Sequence, residues 1–460
     1  MQYMERHRHS CDCNTRSVTV ISVIDALLAM KGGKSADATG ISVEHLHHAP
    51  LNFLSRLSLL FNAMLRHSFV PQQFHEGIMI PLVKDQQGNH SDVNNYRGIT
   101  ISPILSKVLE HILKTMFFEH LSTSQYQFGF KKSNSTVHAL HCLRETVTHY
   151  VNNGSRVFCT FLDASKAFDR LVHSGLFLKL MQRNVPLMFL NIIISWYDNL
   201  KCCVKWGDQY SDWFFITAGV RQGGILSPDF YSIYVDCLIQ KLKDSKKGCY
   251  FRKYFASAFF YADDMVILSP SIHGLAALLK LCEDYCDEWD ICLNGKKSKN
   301  LYFGKRIDIS FELCLNGNII EWVNEWVYLG VTLKSGKVFD CSVKDRIRKF
   351  FRCANSILRI DGRSNDMVML RLLEAHCVPL LTYAIEIIYV SNRDERRQLR
   401  VAYNSLYRKI FHYRWTESVS ALQKFPGRPT WEELVEKRRS KFVKRIQRAG
   451  STVLAYQLLS

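Results

Sequence analysis

The segment FFYADDMVILS, residues 259–269, places two adjacent carboxylates, Asp263 and Asp264, inside an otherwise apolar and aromatic run. Burying two neighbouring like charges costs several kcal/mol unless a cation or hydrogen-bond donors compensate, and the segment contains no basic residue. The apolar residues on either side have the composition of two short strands, which predicts a hairpin with Ala262, Asp263 and Asp264 at its turn. The alternative interpretation is a plain acidic turn between core strands, because Asp is common in turns.

A third carboxylate follows a second apolar run. Residues Val157 to Leu162 are apolar without alternation, which predicts a strand buried on both faces in the middle of a sheet, and this strand ends at Asp163. Metal-assisted nucleotidyl transfer needs carboxylates that hold two Mg²⁺ ions, and Mg²⁺ prefers such oxygen ligands. Asp163 at a strand end and Asp263 at the tip of a neighbouring hairpin would supply them, with Asp264 completing the cluster.

Size and charge narrow the class of partner. A chain of 460 residues exceeds one ordinary core, so we expect two or three subdomains. A hydrophobic content of 47% with 22% charged residues indicates a globular protein. Lys plus Arg number 60 against 42 for Asp plus Glu, a net charge of +18, which favours a polyanion such as nucleic acid. A basic but inert surface is the alternative.

Cysteine usage and the amino terminus bear on location. The 15 cysteines are scattered without a CxxC pair, which is typical of reduced thiols in an intracellular protein. The spacing of His7, His9, Cys11 and Cys13 does not match a structural zinc site. The start of the chain lacks the apolar core of a signal peptide, and the longest apolar stretch, Val185 to Tyr197, is too short to span a bilayer, so we expect a soluble protein without a membrane partner.

Strand and helix signals alternate through the first three quarters of the chain. A strand is predicted from Ile78 to Val83, and Pro103 marks the start of a helix after a polar hairpin loop. Ser227 and Pro228 signal another helix, and apolar periodicity from Leu275 to Trp289 predicts a further one. This order predicts an α/β layered fold.

The carboxy-terminal quarter is helical and basic. Beyond Gly336 the pattern has a helical period, and residues 393–448 hold 16 Lys plus Arg against 6 Asp plus Glu, a net charge of +10. Aromatic residues are interleaved with these charges. Concentration of charge in one region predicts a surface that grips a nucleic-acid backbone.

At this point the sequence resembles a known family, the reverse transcriptases of non-LTR (LINE-like) retrotransposons. YADD (261–264) resembles the catalytic hairpin, and FLDASKAFD (161–169) resembles the first acidic motif. Five further segments match in order, namely NYRGITISPILSKVLE, QFGFKKSNSTVHAL, VRQGGILSPDFYSIY, LNGKKSKNLYF and WVYLGVTL. The likeness runs from about residue 34 to 333, and seven colinear motifs make it specific.

The resemblance implies a role for each matching residue. It makes Asp163, Asp263 and Asp264 the catalytic ligands of two Mg²⁺ ions, with Mn²⁺ as a possible substitute, and it makes Phe168 the side chain that excludes a 2′-hydroxyl. Lys297 would be a general acid for pyrophosphate. The remaining roles are dNTP binding by Lys84, Arg97, Gln222 and Gly223, and primer grip by Tyr328, Leu329 and Gly330.

The resemblance also implies a fold and a reaction. We expect an α+β right-hand polymerase with fingers, a palm made of an antiparallel sheet backed by helices, and a helical thumb. Its parts would be an extension at 1–33, fingers and palm at 34–335 with a core at 78–333, and a basic thumb and carboxy-terminal region at 336–460. The expected reaction is RNA-directed DNA polymerisation with an RNA template, a DNA primer or target and dNTPs, in the nucleus.

Two alternatives and some departures remain. The chain could be a degenerate or domesticated copy that binds nucleic acid without catalysis, or a maturase-type reverse transcriptase of a group II intron. Gly98 and Asp229 stand where the family often has Pro and an apolar residue. The endonuclease and the Cys/His zinc knuckle of full LINE-like proteins find no match, so we expect no autonomous transposition.

Overall fold

The structure is a computed structural model that describes residues 16–132, 134–307, 311–360, 365–388, 392–424, 427–450 and 454–458. Of the predicted amino-terminal extension, 1–33, residues 1–15 lie outside the described residues. His7, His9, Cys11 and Cys13 also lie outside the described residues.

The strands of the described residues fall in four sheets. In chain order they are β1 Glu76–Val83, β2 Tyr96–Ile101, β3 Val157–Asp163, β4 Lys201–Trp206, β5 Gln209–Tyr210, β6 Phe214–Phe215, β7 Tyr250–Phe251, β8 Tyr254–Phe255, β9 Ala258–Tyr261, β10 Asp264–Ser269, β11 Lys299–Phe303, β12 Leu313–Leu315, β13 Asn318–Trp322, β14 Glu325–Tyr328, β15 Val331–Lys334 and β16 Asp340–Ser342.

Helices alternate with the strands along the chain and make up most of the carboxy-terminal quarter. They are α1 Val20–Ala29, α2 Val43–His47, α3 Leu51–His67, α4 Gln72–His75, α5 Ile104–Met116, α6 Phe118–Leu121, α7 Thr136–Asn152, α8 His173–Gln182, α9 Leu187–Tyr197, α10 Ser227–Asp244, α11 Ile272–Glu288, α12 Lys344–Ile360, α13 Asp366–His376, α14 Val378–Thr382, α15 Arg393–Ile410, α16 Ser420–Lys424, α17 Trp431–Ala449 and α18 Leu454–Gln457. This mixture of helix and sheet confirms the predicted fold class.

The chain divides into two compact units, each assembled from three separate stretches of sequence. The first unit contains the residues up to Ser124, Ala164–Leu238 and Asp284–Cys292. The second unit contains Gln125–Asp163, Ile239–Glu283 and the residues from Leu293 onward. The predicted linear boundaries at residues 33 and 335 remain a prediction.

The second unit is built on a six-stranded sheet with the order β12-β13-β11-β3-β10-β9. Its central strand, β3, pairs antiparallel with β10 on one side and β11 on the other. Six of its seven residues are buried, which confirms the prediction of a strand covered on both faces. Helix α7 packs against β3 and β9, with Leu140, Leu143 and Val147 buried along one face. The expected antiparallel sheet backed by helix is therefore found with one difference, because β11 and β13 pair in parallel while the other strand pairs of this sheet are antiparallel.

The first unit is built on a separate sheet with the order β2-β1-β4-β5. Strands β1 and β2 form the predicted antiparallel hairpin, and β4 lies parallel to β1 on its other side. The helix predicted near Pro103 is α5, which uses Pro103 as its N-cap residue. The hairpin loop and this helix are therefore where the sequence placed them.

In the second unit, the basic helices beyond residue 336 are amphipathic. In α12, Phe350 and Ala354 are buried while Arg348, Lys349 and Arg352 are exposed. In α15, the first-turn residues Asp394 and Glu395 and the last-turn residues Arg408 and Lys409 complement the helix dipole. The predicted helical and basic character of this quarter is confirmed.

Two findings bear on the cellular setting. The 13 cysteines among the described residues are free thiols. Of the described helices, none is both long and apolar enough to cross a membrane.

A buried hydrogen-bonded pair ties three strands of the second unit together. Asn300 on β11 accepts a hydrogen bond from the Thr160 hydroxyl at 2.7 Å and donates one to the Ile320 carbonyl at 2.9 Å, and both side chains are fully buried. We expect Asn300→Ala to destabilise the protein by about 2 to 4 kcal/mol, because it leaves a buried hydroxyl and a buried carbonyl unpaired. Urea denaturation measures this loss.

The control for that experiment is Asn318→Ala on the neighbouring strand. Asn318 makes its side-chain hydrogen bond at the surface, to the Asn316 carbonyl, so this change should leave the urea midpoint within a small margin. Equal midpoints for the two variants would contradict the structural role assigned to Asn300.

Candidate active site

The acidic hairpin consists of β9 and β10 joined by a two-residue turn, Ala262–Asp263. Asp264 pairs with Tyr261 as the first residue of β10. The prediction that Asp264 belongs to the turn is therefore wrong. The strand begins one residue earlier than its apolar pattern indicates, because β10 is also paired on its other side.

That other side is the end of β3. In the antiparallel register, Asp264 lies directly opposite Asp163. Directly opposed residues of such a pair have Cβ atoms about 4.5–5.5 Å apart on the same face of the sheet, and like charges in this arrangement repel. The fold therefore brings the two predicted acidic motifs, one hundred residues apart in sequence, to one edge of a single sheet.

The electrostatics of this edge are visible in Asp264. Partial desolvation, followed by the nearby carboxylates of Asp263 and Asp163, raises the pKa of Asp264 from 3.8 to about 6, although its side chain is exposed. The three carboxylates are thus close enough for their charges to interact.

Three carboxylates are a donor set suited to a hard divalent cation. Within the part of the chain that the structure describes, however, no group of three or more His, Cys, Asp or Glu side chains has an arrangement ready to hold a metal ion. The residues fit a divalent cation by their chemistry and their shared edge, while the coordination geometry is not formed.

The end of β3 is held by a short turn that contains Lys297. The carbonyl of Asp163 accepts a hydrogen bond from the Asn294 N–H at 2.9 Å, and the N–H of Asp163 donates to the Ser298 hydroxyl at 3.3 Å. The Lys297 N–H donates to the Asn294 side chain at 3.1 Å, and Lys297 itself is exposed. Its turn therefore caps the strand that carries Asp163.

The acidic turn is bound by Gln127, the first residue of the matching segment QFGFKKSNSTVHAL, for which the sequence predicted no role. The side-chain oxygen of Gln127 accepts hydrogen bonds from the N–H groups of Ala262 and Gly129, both at 3.0 Å, and its nitrogen lies 3.4 Å from the Ala262 carbonyl. Gln127 is fully buried. The sequence signal that could have identified Gln127 is its polar side chain within the otherwise largely aromatic run YQFGF.

The three predicted primer-grip residues lie around a second two-residue turn, between β14 and β15. Leu329 and Gly330 both have positive φ, +46° and +75°, as a type I′ turn requires. Tyr328 is buried with its ring 5.0 Å from that of Phe161, and burial together with the charge of Asp264 raises the pKa of Tyr328 well above its ordinary value. Tyr328 thus lies within electrostatic reach of the acidic edge.

Tyr383 anchors this turn and was also not predicted. Its hydroxyl donates to the Leu329 carbonyl at 2.9 Å and lies 2.8 Å from the Thr136 hydroxyl. A side chain at Gly330 would meet the Tyr383 ring at 3.2 Å. The segment LTYAIEIIY carries only a weak likeness to the family, so the sequence offered little to identify it.

In the first unit, Phe168 is half-buried and its ring stacks on that of Tyr231, with centroids 4.8 Å apart at an angle of 27°. The Phe168 carbonyl accepts a hydrogen bond from the Val220 N–H at 2.8 Å. These contacts fix both the backbone and the ring of Phe168.

Gln222 and Gly223 lie next to strand β2 of the same unit. The Gln222 carbonyl accepts from the Thr100 N–H, and its side chain donates to Asp169, both at 2.8 Å. Gly223 has φ of +126°, and any Cβ there would meet the Thr100 carbonyl at 2.7 Å, so only glycine fits.

A buried pair of opposite charges holds the loop that carries these two residues. Arg221 donates to the carbonyls of Phe74 and His75, and Glu110 accepts from the N–H groups of Ile225 and Leu226. Burial raises the pKa of Glu110, and the charge of Arg221 opposes that rise.

Lys84 and Arg97 both belong to the β1–β2 hairpin. Arg97 is exposed and pairs with Leu82 across the hairpin, while the Lys84 ammonium donates to the Asn94 carbonyl at 2.9 Å. The two cations therefore share one hairpin, as the sequence predicted.

The second unit also contains a basic groove between α15 and α17, with a volume of about 950 Å³. We call it the arginine groove. Its five exposed arginines are Arg393, Arg396, Arg397, Arg400 and Arg439. Three acidic residues, Asp394, Glu432 and Glu436, line it as well, and Arg400 contacts Glu432 at 3.6 Å. Its net charge remains positive.

Comparison with known proteins shows which family the chain belongs to. Residues 84–333 match the model of the family described as reverse transcriptase (RNA-dependent DNA polymerase). The chain is 25% identical to a probable RNA-directed DNA polymerase from transposon BS of Drosophila melanogaster, over 96% of this chain and 50% of that protein. It is also 25% identical to the RNA-directed DNA polymerase from mobile element jockey of Drosophila funebris, over 86% and 44%.

A solved telomerase structure from Candida albicans aligns with 89% of this chain over 65% of the telomerase chain, at 12% identity and a TM-score of 0.44. This similarity is too low to support an argument. The chain spans about half the length of the curated relatives it matches. The family model covers more than half of the chain and includes all three carboxylates. The chain therefore belongs to the reverse transcriptase family, and its resemblance to the polymerases of non-LTR mobile elements is confirmed.

Proposed function

We propose that this chain is an RNA-directed DNA polymerase that extends a primer 3′-OH with dNTPs on an RNA template. The observation that carries the proposal is the convergence of Asp163, Asp263 and Asp264 at one sheet edge inside the segment that matches the reverse transcriptase family. Opposed carboxylates at a strand end are costly for stability, and binding a cation used in catalysis accounts for that cost.

The three carboxylates would hold two divalent ions, Mg²⁺ or in its place Mn²⁺. When bound, such ions activate the attacking hydroxyl and neutralise the charge that develops on the phosphates. The carboxylates must be ionised to bind them. Because the pKa of Asp264 is about 6, protons compete with the cation at that residue below neutral pH.

The remaining predicted site residues have roles in substrate binding. Lys84 and Arg97 bind the triphosphate, and Gln222 and Gly223 line the nucleotide pocket. Phe168, whose ring is fixed by stacking on Tyr231, excludes a 2′-hydroxyl by its bulk and so selects dNTPs.

Release and primer placement involve the second unit. Lys297 acts as the general acid that protonates pyrophosphate, supported by its place in the turn that caps the strand of Asp163. Tyr328, Leu329 and Gly330 position the primer 3′ end through the turn anchored by Tyr383.

The arginine groove binds the sugar-phosphate backbone of the RNA template or DNA primer. Its exposed arginines present planar donors that match phosphate oxygens. The segment 393–448, which supplies most of its lining, holds +10 of the chain's net charge of +18. We propose a nuclear location by resemblance to the family, since a DNA target is available there.

The first test removes one carboxylate. Asp263→Asn should lower dNTP incorporation on a primed RNA with Mg²⁺ by about 10³-fold, because a metal ligand supplies several kcal/mol of transition-state stabilisation. The control is Asp208→Asn, at an exposed turn between β4 and β5, which should be as active as the wild type. Activity that survives Asp263→Asn would refute the assignment of Asp263 as a metal ligand. A folded wild type that binds nucleic acid but incorporates no dNTP would favour the alternative of a degenerate or domesticated copy without catalysis.

The second test uses stability in metal-free buffer. The pKa of Asp264 is raised from 3.8 to about 6, so its ionisation disfavours the folded state, and stability is lost as pH rises through this window. Asp264→Asn should therefore raise the Tm at pH 7.5 by about 1–4 °C, and the difference should vanish near pH 4. Solvent screening at this exposed side chain keeps the gain small.

Excess Mg²⁺ gives this measurement an internal control. The cation should raise the Tm of the wild type more than that of Asp264→Asn, because the variant lacks one ligand. A variant that is less stable than the wild type at pH 7.5 without metal would refute the repulsion inferred at this edge.

The third test concerns the arginine groove. Changing Arg393 and Arg397 to Gln together should make the slope of log binding constant against log salt shallower by roughly 1–2, because each phosphate contact contributes about 0.7–0.9. Fluorescence anisotropy with a primed RNA measures the slope. The matched control is Arg56→Gln, an exposed arginine on α3, which should leave the slope unchanged. If the groove variant keeps the wild-type slope, the backbone is bound elsewhere.

A further inference from the structure

The turn that carries Asp263 has an unfavourable backbone conformation. Ala262, the first of its two residues, has φ of +58°, while Asp263 does not have a positive φ. A two-residue hairpin turn with positive φ at its first position only is of type II′, in which glycine is the usual residue. An alanine held in this region needs surrounding contacts that keep it there.

Gln127 supplies those contacts. Its side-chain oxygen accepts a hydrogen bond from the Ala262 N–H at 3.0 Å, and its side-chain nitrogen lies 3.4 Å from the Ala262 carbonyl. One amide group therefore binds both backbone polar groups of the strained residue. The same oxygen also accepts from the Gly129 N–H. Two N–H groups pointing at one atom identify that atom as the oxygen.

The backbone around Gln127 is itself fixed to the hairpin. The Phe128 N–H donates to the Phe260 carbonyl at 2.7 Å, and the Phe260 N–H donates to the Tyr126 carbonyl at 2.9 Å. These two hydrogen bonds flank Gln127 and leave its side chain little freedom to move away from the turn.

Gly129 shows how closely this segment approaches the turn. A Cβ at this position would lie 2.5 Å from the Ala262 nitrogen. The contact is with backbone, which cannot give way as a side chain can. The sequence YQFGF is thus shaped around the acidic turn on both sides of Phe128.

We propose that Gln127 is a positioning residue that holds the Ala262–Asp263 turn so that the carboxylates of Asp263 and Asp264 keep the placement needed to bind divalent cations. This inference rests on the proposed polymerase function and extends it to a residue that contacts neither substrate nor metal. Packing alone does not require an amide here, since an apolar side chain of the same length would fill the same volume.

The test compares Gln127→Met with the wild type on a primed RNA. Met keeps the length but has no donor and only a weakly accepting sulfur. We therefore expect kcat to fall about 10- to 100-fold, as for residues that orient metal ligands, and half-saturation to need more Mg²⁺. KM for the primed template should stay unchanged. If Gln127→Met does not fold, Gln127→Asn takes its place, because its shorter amide cannot reach both groups of Ala262.

A second substitution should restore activity. Ala262→Gly places the favoured residue at the strained position, so Gln127→Met with Ala262→Gly should be at least about 3-fold more active than Gln127→Met alone. A loss of packing at residue 127 would not be relieved by removing a methyl group from the turn.

The matched control is Gln423→Met, the same change at another buried glutamine of the second unit, which donates to Asn404. It should shift the Tm without shifting the Mg²⁺ dependence. The proposal is overturned if Gln127→Met keeps the wild-type kcat and Mg²⁺ dependence, or if both variants lose activity only in proportion to the folded fraction.

Failure of the proposed function is distinguished by metal binding alone. If the wild type incorporates no dNTP, Mn²⁺ binding to the folded protein is measured by electron paramagnetic resonance. Weaker Mn²⁺ binding by Gln127→Met would still support the positioning role, whereas equal binding by both proteins would overturn it.

Discussion

The repulsion between Asp163 and Asp264, directly opposed on β3 and β10, is the constraint on which the rest of the site depends. Desolvation, then the charge of Asp263, and then that of Asp163 raise the pKa of Asp264. The packing of the strands that carry Asp163 and Asp264 must outweigh the repulsion between them. The six buried residues of β3 and the five of β10 supply that packing. An apolar sheet of this kind can hold like charges together only at its edge, where solvent and a cation reach them.

The parts of the fold that the sequence predicted are those set by local pattern. The unbroken apolar run before Asp163 predicted a central strand, and the acidic interruption at residues 263–264 predicted a hairpin, because both depend on neighbouring residues only. The register that opposes Asp163 to Asp264 depends on pairing across 101 residues. Local period cannot determine such pairing, and for the same reason it placed Asp264 in the turn instead of the strand.

The contacts that hold the site in place escaped prediction because they are polar and distant in sequence. Gln127 binds a turn 135 residues away, and Tyr383 binds one 54 residues away. Each supports a non-glycine residue with positive φ, Ala262 or Leu329, and a residue's φ is not visible in its identity. At both turns, therefore, a side chain distant in sequence stabilises a residue in a rarely populated backbone conformation.

Both units are assembled from stretches of chain that are far apart in sequence, and this has a consequence for synthesis on the ribosome. β3 leaves the exit tunnel before β10, its partner, and at translation rates of about 5–20 residues per second the delay is roughly 5–20 s. During that interval a nascent strand with six apolar or otherwise buried positions has no sheet to join. We therefore expect the growing chain to be prone to aggregation during this interval, whatever the stability of the finished fold.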